Sequence, residues 1–337
     1  MSFVVRAVQR EDAPQLLELA RQFTLLNLPA EKRPIEQKIE KSIAAFQGEL
    51  GKAEADYLFV VEDKENDMVV GSSMILAKNG TPASPNFSYK IIKKERFSRE
   101  LGIGFIHQIL RLNANIDGPT EVGGLVVDRG YRRRPEKVGR LISLSRFLYI
   151  GMEPQRFEND LHSEMAPPLT DEGRSEFWEA LGRRFTGMPY QEADQISSQN
   201  NGFIQSLFPE EDIYLALLDS RARLVLGRVG EETQPALHLL NRIGFRYKEE
   251  VDPFDGGPHL GCETKNCTII KNLKKLKLTK NSAGQFDHSG LVGLTRDGFY
   301  VGGASPYRIE GNDVALPEKT WISLELSEGE DIFLSPI

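Results

Sequence analysis

Hydrophobic positions along this chain switch between a two-residue and a three-to-four-residue period, and the switches predict its elements. Phe3 to Ala7 alternate weakly, as a strand does. Asp12 then reads as a helix cap, with Pro14 in the first turn and Leu16, Leu17, Leu19, Ala20 and Phe23 on one face. A second helix is predicted from about Glu36 to Phe46. The stretch YLFVVEDKENDMVVGSSMIL reads as two strands joined by a polar turn at Lys64 to Asp67. Gly80 to Asn86, rich in Gly, Pro and Ser, predicts a loop, and Ile103 to Asn113 predicts a helix. Further on, LHSEMAPP reads as a short strand, SEFWEALGRRF as a helix from near Ser175, and SSQNN (Ser197 to Asn201) as a polar loop. A helix from Pro235 to Ile243 is stopped by Gly244 and followed by the strand-like FRYKEEVD. The basic run KNLKKLKLTK, Lys271 to Lys280, marks a boundary, and GLVGLT, GFYVGG, WISLEL and DIFLSPI after it predict strands and turns. This order fits an α/β (α+β) fold, a mixed sheet with helices on both faces. The expected division is a main domain over 1–270, a basic linker over 271–284 and a small β-rich C-terminal module over 285–337.

One segment carries more chemistry than the rest. In EVGGLVVDRGYRRRPEKVGRLISLSRF, Glu121 to Phe147, an apolar strand runs into four arginines and then an amphipathic helix with Val138, Leu141, Ile142, Ser145 and Leu148 on one face. A helix start leaves unpaired N–H donors and a partial positive charge, and the arginines add full ones. The segment is therefore built like an anion site, although a basic turn that binds nothing has the same composition.

Composition narrows the setting. At 337 residues, with 40% apolar and 27% charged residues, the chain suits one large or two ordinary domains. No apolar run approaches the ~20 residues of a membrane span. The start, MSFVVRAVQRED, turns charged too soon for a secretory leader. A net charge of −7 argues against general nucleic-acid affinity. The expectation is a cytoplasmic protein without membrane or nucleic-acid partners. The two cysteines, Cys262 and Cys267, make no disulfide framework. With His259 they form H-x2-C-x4-C, one ligand short of a structural zinc, so no metal is expected.

Strand order and a phosphate-ready helix start after the fourth strand resemble the acyl-CoA N-acyltransferase (GNAT) fold. In that fold pantetheine bonds the exposed backbone of the fourth strand, here Leu125, Val126, Val127 and Asp128, and pyrophosphate sits on the next helix start. The corresponding groups here are Arg132, Arg133, Arg134, Lys137, Val138, Gly139 and Arg140, with Lys137 where the fold usually has a glycine. PFDGGPHLGCE (Pro253 to Glu263), EFWEALGRRF (Glu176 to Phe185) and SRF (Ser145 to Phe147) carry a closer likeness. With them the chain resembles the bacterial arginine N-succinyltransferase family, including the alpha chains of arginine/ornithine succinyltransferases. The resemblance implies succinyl-CoA as acyl donor, the α-amine of arginine or a related amino acid as acceptor, a succinyl-CoA contact at Leu125, and assembly into homo- or hetero-oligomers.

Three polar positions of the family differ in this chain. The family's proton-donor histidine, in a V-H-P-x-T-like segment, falls on Gly230 of RVGEET. A second histidine falls on Arg96 of ERFS, and the L-T-S-L-P substrate loop appears as LLNLP, with Leu26 and Asn27 in its middle. Candidates to replace the histidine are Glu232, beside the vacated position, and Glu164, in the short strand. Glu232 also reads as part of a solvated acidic turn. Glu164 reads equally as a base acting through water and as a satisfied structural carboxylate. His107, His162 and His238 read as packing or surface histidines. Asp255 and Gly256 of the FDGGP signature are expected to shape the acceptor pocket. A second function class stays open beside the transferase: a CoA-binding, catalytically silent subunit.

Overall fold

The computed structural model describes residues 2–22, 30–197, 200–280 and 285–337. They form two compact units. Unit 1 comprises Met1–Lys78, Thr120–Leu161 and Glu263–Ile337, and unit 2 comprises Asn79–Pro119 and His162–Cys262. The chain opens in unit 1 with β1 (Phe3–Ala7), α1 (Ala13–Arg21), α2 (Lys32–Gln47) and the hairpin of β2 (Asp56–Asp63) and β3 (Met68–Leu76). A second hairpin, β4 (Asn86–Ser98) and β5 (Ile103–Asn115), lies in unit 2. Unit 1 resumes with β6 (Thr120–Val127) and α3 (Val138–Met152), and the chain goes on to β7 (Asp160–Glu164). Unit 2 then takes α4 (Glu176–Ala180), α5 (Gly182–Thr186), α6 (Tyr190–Ser197), α7 (Gly202–Leu207), β8 (Ile213–Tyr214), α8 (Ser220–Val225), α9 (Gln234–Arg242), β9 (Arg246–Val251) and β10 (Pro258–Glu263). The chain ends with α10 (Thr268–Lys271), β11 (Lys274–Thr279), β12 (His288–Arg296), β13 (Phe299–Glu310), β14 (Asp313–Ala315), α11 (Glu318–Leu324) and β15 (Asp331–Pro336). Among the described residues no helix is long and apolar enough to cross a membrane.

In unit 1, β1, β2, β3 and β6 pair antiparallel in that order. Helices cover both faces, which is why β2 reads as an almost unbroken apolar run, DYLFVVED. Leu58 and Val60 pack with Leu16, Leu19, Ile35 and Ile39 of α1 and α2. Phe59 instead meets Tyr149 of α3, ring centroids 5.4 Å apart. The polar turn at Lys64 to Asp67 joins β2 to β3 as expected. Asp12 sits at the N-cap of α1, but its carboxylate turns back to the Gln9 amide and the Arg6 guanidinium.

The C-terminal strands close on themselves. The order β12–β15–β11–β14–β13 returns to β12, and β13 also pairs antiparallel with β1. The run expected as a basic linker is thus partly β11. Leu276 and Leu278 join the barrel core while Lys274, Lys275 and Lys277 stay exposed, a two-residue alternation that the lysine count hides. WISLEL, expected as strand, lies largely in α11, where Thr320, Trp321 and Leu324 are buried at helical spacing after Pro317.

In unit 2 the order is β7–β10–β9–β4–β5–β8. The helix expected over Ile103 to Asn113 is β5. Its apolar positions fit a helical face, but thirteen consecutive registered pairs with β4 fix it as a strand, and neighbour pairing decides such a segment. Trp178 stacks on Phe254 at 5.1 Å, within a core that includes Tyr89, Leu110, Phe177 and Phe208. Ser175 caps α4 by accepting from the Trp178 amide and donates to the Phe254 carbonyl, tying the FW helix to the FDGGP turn.

Candidate active site

The segment from Glu121 to Phe147 begins on β6, the fourth strand of unit 1 in chain order. Its register with β3 slips: Ser72 faces Val126, but Met74 faces Gly123. Two steps on β3 match three on β6, so β6 bulges at Gly124 and Leu125, with Gly124 at φ +57°. A bulge leaves one residue's backbone groups outside the ladder, pointing at whatever lies beyond. Leu125 is half-buried there, while Val126 and Val127 are buried. Arg146 of α3, itself buried, holds the bulge by donating from Nη1 to the Gly123 carbonyl at 3.0 Å. Its other bonds go to Ser143, and burial pushes its guanidinium down to about 9. Sequence reasoning missed this arginine, although the SRF motif contains it.

Beyond the bulge the basic turn is braced from within. Asp128 accepts from the Gly130 amide at 2.7 Å and from Gln22 Nε2 at 2.6 Å. Arg132 donates to the Val127 carbonyl, and Arg134 donates to the Gly130 carbonyl and lies over the Tyr131 ring. Arg133 takes φ +61° and Lys137 φ +53°, so two cationic side chains occupy left-handed positions that favour glycine. Lys137 caps α3 and its carbonyl receives the amides of Arg140 and Leu141. The Val138 and Gly139 amides therefore precede the first intrahelical bond, at the positive end of the helix. An added Cβ at Gly139 would meet only Val127 Cγ2 at 3.5 Å, so that glycine is not sterically required.

A second candidate cluster lies in unit 2 around Glu164. His162 and Glu164 share a face of β7, two residues apart, and His259 projects from the neighbouring β10. His162 Nε2 lies 3.3 Å from Glu164 Oε1, and His259 Nε2 lies 3.7 Å from it. The imidazoles are buried, with rings 4.7 Å apart, whereas the Glu164 side chain is 34% exposed. Burial opposes ionisation of Glu164, but His259, His162 and a hydrogen bond from Asn86 outweigh it and hold the carboxyl below the usual range. Burial pushes His259 down to about 4 against the pull of Glu164, so this ring is neutral at pH 7. A cavity of about 230 Å³ adjoins the two histidines, lined also by Asn86, Ser88, Asn113 and Glu250.

His162, expected as a packing or surface histidine, is buried and also contacts Glu164 beside the cavity. LHSE carried the signal, a two-residue alternation on a strand, but nothing local revealed that β10 brings His259 alongside. His259 groups with Glu164, not with Cys262 and Cys267, which are buried and outside any disulfide.

The remaining expected residues scatter. Asp255 and Gly256 lie in a turn packed against unit 2's core: Gly256 has φ +76°, and a Cβ there would sit 3.0 Å from Phe177. A Cβ on Gly257 would come within 2.3 Å of the Met165 carbonyl, so the signature's glycines let the turn close onto the end of β7. Burial, with the charges of Asp194 and Glu164, pushes Asp255 up to about 7, and burial with Glu164 pushes Asp194 to about 7. Asp252 moves in the same direction, through burial and Asp255. Glu232 is exposed in the short turn Glu231–Thr233. Gly230 donates to the Ala166 carbonyl, and a Cβ on it would crowd the Pro167 carbonyl at 3.0 Å. Arg96 does not reach the cluster. It is exposed far along β4, ten residues or about 30 Å of strand from Asn86. Leu26 and Asn27 lie outside the described residues.

The chain is similar to known proteins along most of its length. The family described as "Arginine N-succinyltransferase beta subunit" matches residues 3–269. Proteins named arginine N-succinyltransferase from Shigella dysenteriae and Escherichia coli are 33% identical over 287 residues, covering 84% of this chain and 83% of theirs. The structure of arginine/ornithine succinyltransferase subunit AI from Pseudomonas aeruginosa superposes with a TM-score of 0.87 at 26% identity, covering 99% of this chain and 98% of that one. The glycine-bearing bulge, the arginine-rich helix start and the FDGGP turn thus stand in a chain that belongs to the arginine N-succinyltransferase family.

Proposed function

We propose that this chain transfers the succinyl group of succinyl-CoA to the α-amine of arginine or a related amino acid, in the cytoplasm. The observation that carries the reading is the bulge of β6 leading into the Lys137-capped start of α3. The bulge offers backbone to the pantetheine arm and the thioester carbonyl, and the helix start with its basic turn offers donors and charge to the pyrophosphate. The neutral amine attacks the thioester carbon, the tetrahedral oxyanion collapses, and CoA leaves as a thiolate that takes up a proton. Glu164 accepts the amine's proton through a water. A carboxylate held ionised at neutral pH is a modest base, which suffices for an already activated thioester. Asp194 and Asp255, pushed up to about 7 by burial and nearby negative charge, would ionise fully beside a guanidinium.

Purified protein given succinyl-CoA and arginine should release free thiol, and Glu164→Gln should lower kcat by roughly a hundredfold. The silent-subunit reading draws on Gly230, where the family's histidine is missing. CoA binding without turnover across a panel of amino acids would establish it and overturn the transferase.

A further inference from the structure

We infer that His162, Glu164 and His259 form a site for a single divalent ion of the zinc class, with an open position facing the cavity beside them. The three ligand atoms all lie within 4.8 Å of one another, with the carboxylate oxygen 3.3 and 3.7 Å from the two imidazole nitrogens. Ligands held at ~2.0–2.1 Å on a tetrahedron are about 3.3 Å apart, so the two carboxylate–imidazole contacts are already near that spacing and the remaining approach is between the two imidazoles. Two imidazoles and one carboxylate are a donor set suited to zinc, and three protein ligands leave the fourth position to water or a small molecule.

The second observation is the state of His259. Its ring is 1% exposed, and Nε2 is buried without a hydrogen-bond partner among the described residues. If Nε2 is bare, its lone pair faces a carboxylate 3.7 Å away; if it carries a proton, the contact is too long to bond well. A cation between the two atoms resolves both cases. Neutral imidazole is the form a metal needs. Asn86, bonded to Glu164, is placed as an outer partner that fixes the carboxylate's orientation. Asn86, Ser88 and Asn113 line the cavity beyond, with donors and acceptors for a bound water.

Glu164 is also the proposed base, so one consequence rests on that reading. An ion that takes the Glu164 lone pair removes the proton acceptor, and zinc then inhibits transfer reversibly.

Binding is tested on the full chain, freed of metal by chelator and dialysis, titrated with Zn2+ alone by calorimetry and with Co2+ by visible absorption. The expected result is one equivalent bound, a tetrahedral cobalt spectrum without thiolate charge transfer, and affinity reduced at least a hundredfold by His259→Gln and by His162→Gln. Cys262→Ser should leave it unchanged. Circular dichroism of each variant separates loss of a ligand from loss of the fold, and His259→Gln keeps nearly the same volume. Absence of binding, binding equal in wild type and in both histidine variants, or a thiolate band in the cobalt spectrum would overturn the site. These readouts need no turnover, so a protein inactive towards every amine would refute the transferase reading and leave the metal result standing. A bound ion that leaves an active enzyme's rate unchanged would overturn the inhibition alone.

Discussion

Carboxylates in unit 2 differ in what their surroundings ask of them. Glu164 is held ionised by its neighbours, whereas Asp194 and Asp255 are pushed up to about 7 by burial and by nearby negative charge. An acid whose folded pKa lies above its unfolded value near 3.8 favours folding at low pH, and that favour is lost as pH rises towards 7. Asp194→Asn should therefore raise the melting temperature, and by more at pH 8 than at pH 5. Equal gains at both pH values in thermal scans would contradict the shift. A guanidinium ligand should act like the substitution, so arginine should raise the melting temperature of the wild type more than that of the variant. His259 works the other way, since its depressed pKa costs stability as pH falls from about 6.5 towards 4. Arg146 is a different case, a buried cation held by oxygen atoms of Ser143 and Gly123. Arg146→Met removes the bond to the bulge and should raise the KM for the acyl-CoA roughly tenfold or more while changing that for the amine little. A kinetic comparison of the two substrates decides it.

Elements show where sequence reading succeeds and where it stops. The hairpin of β2 and β3, helices α1 to α3 and the FW helix were legible because each has a local signal: a polar turn, a cap, a helical stripe. Segment 103–113 was misread because its period suits a helix, and only the partner strand, 17 residues upstream at its start, settles the matter. The bulge in β6 was half legible, in that Gly123 and Gly124 stand together in a strand, but the slip itself depends on β3. The same limit hid the Glu164 cluster, whose third member comes from a strand nearly a hundred residues later. Gly124→Ala would place a side chain at φ +57°, costing about 1–2 kcal/mol. Gly257→Ala meets the Met165 carbonyl and should cost about 2–3 kcal/mol in chemical denaturation. A smaller loss at Gly257 than at Gly124 would show that the FDGGP turn can shift away from β7.

At the scale of the molecule, the family match ends at residue 269, yet the C-terminal strands are no appendage. β13 pairs with β1, and β12, β13 and β15 pack against α3. A chain shortened to residues 1–270 should therefore lose its cooperative thermal transition rather than merely shed a module; a sharp transition in calorimetry would refute that. This dependence has a bearing on how the protein is made. β2 gives β1 its first neighbour early, but the second, β13, begins about 290 residues later. At a ribosomal pace of ~10 residues per second, the nascent chain carries an open sheet edge for about half a minute. Open edges recruit other chains, so the yield of this protein in a cell should depend on whatever chaperone shields β1 until synthesis is nearly done.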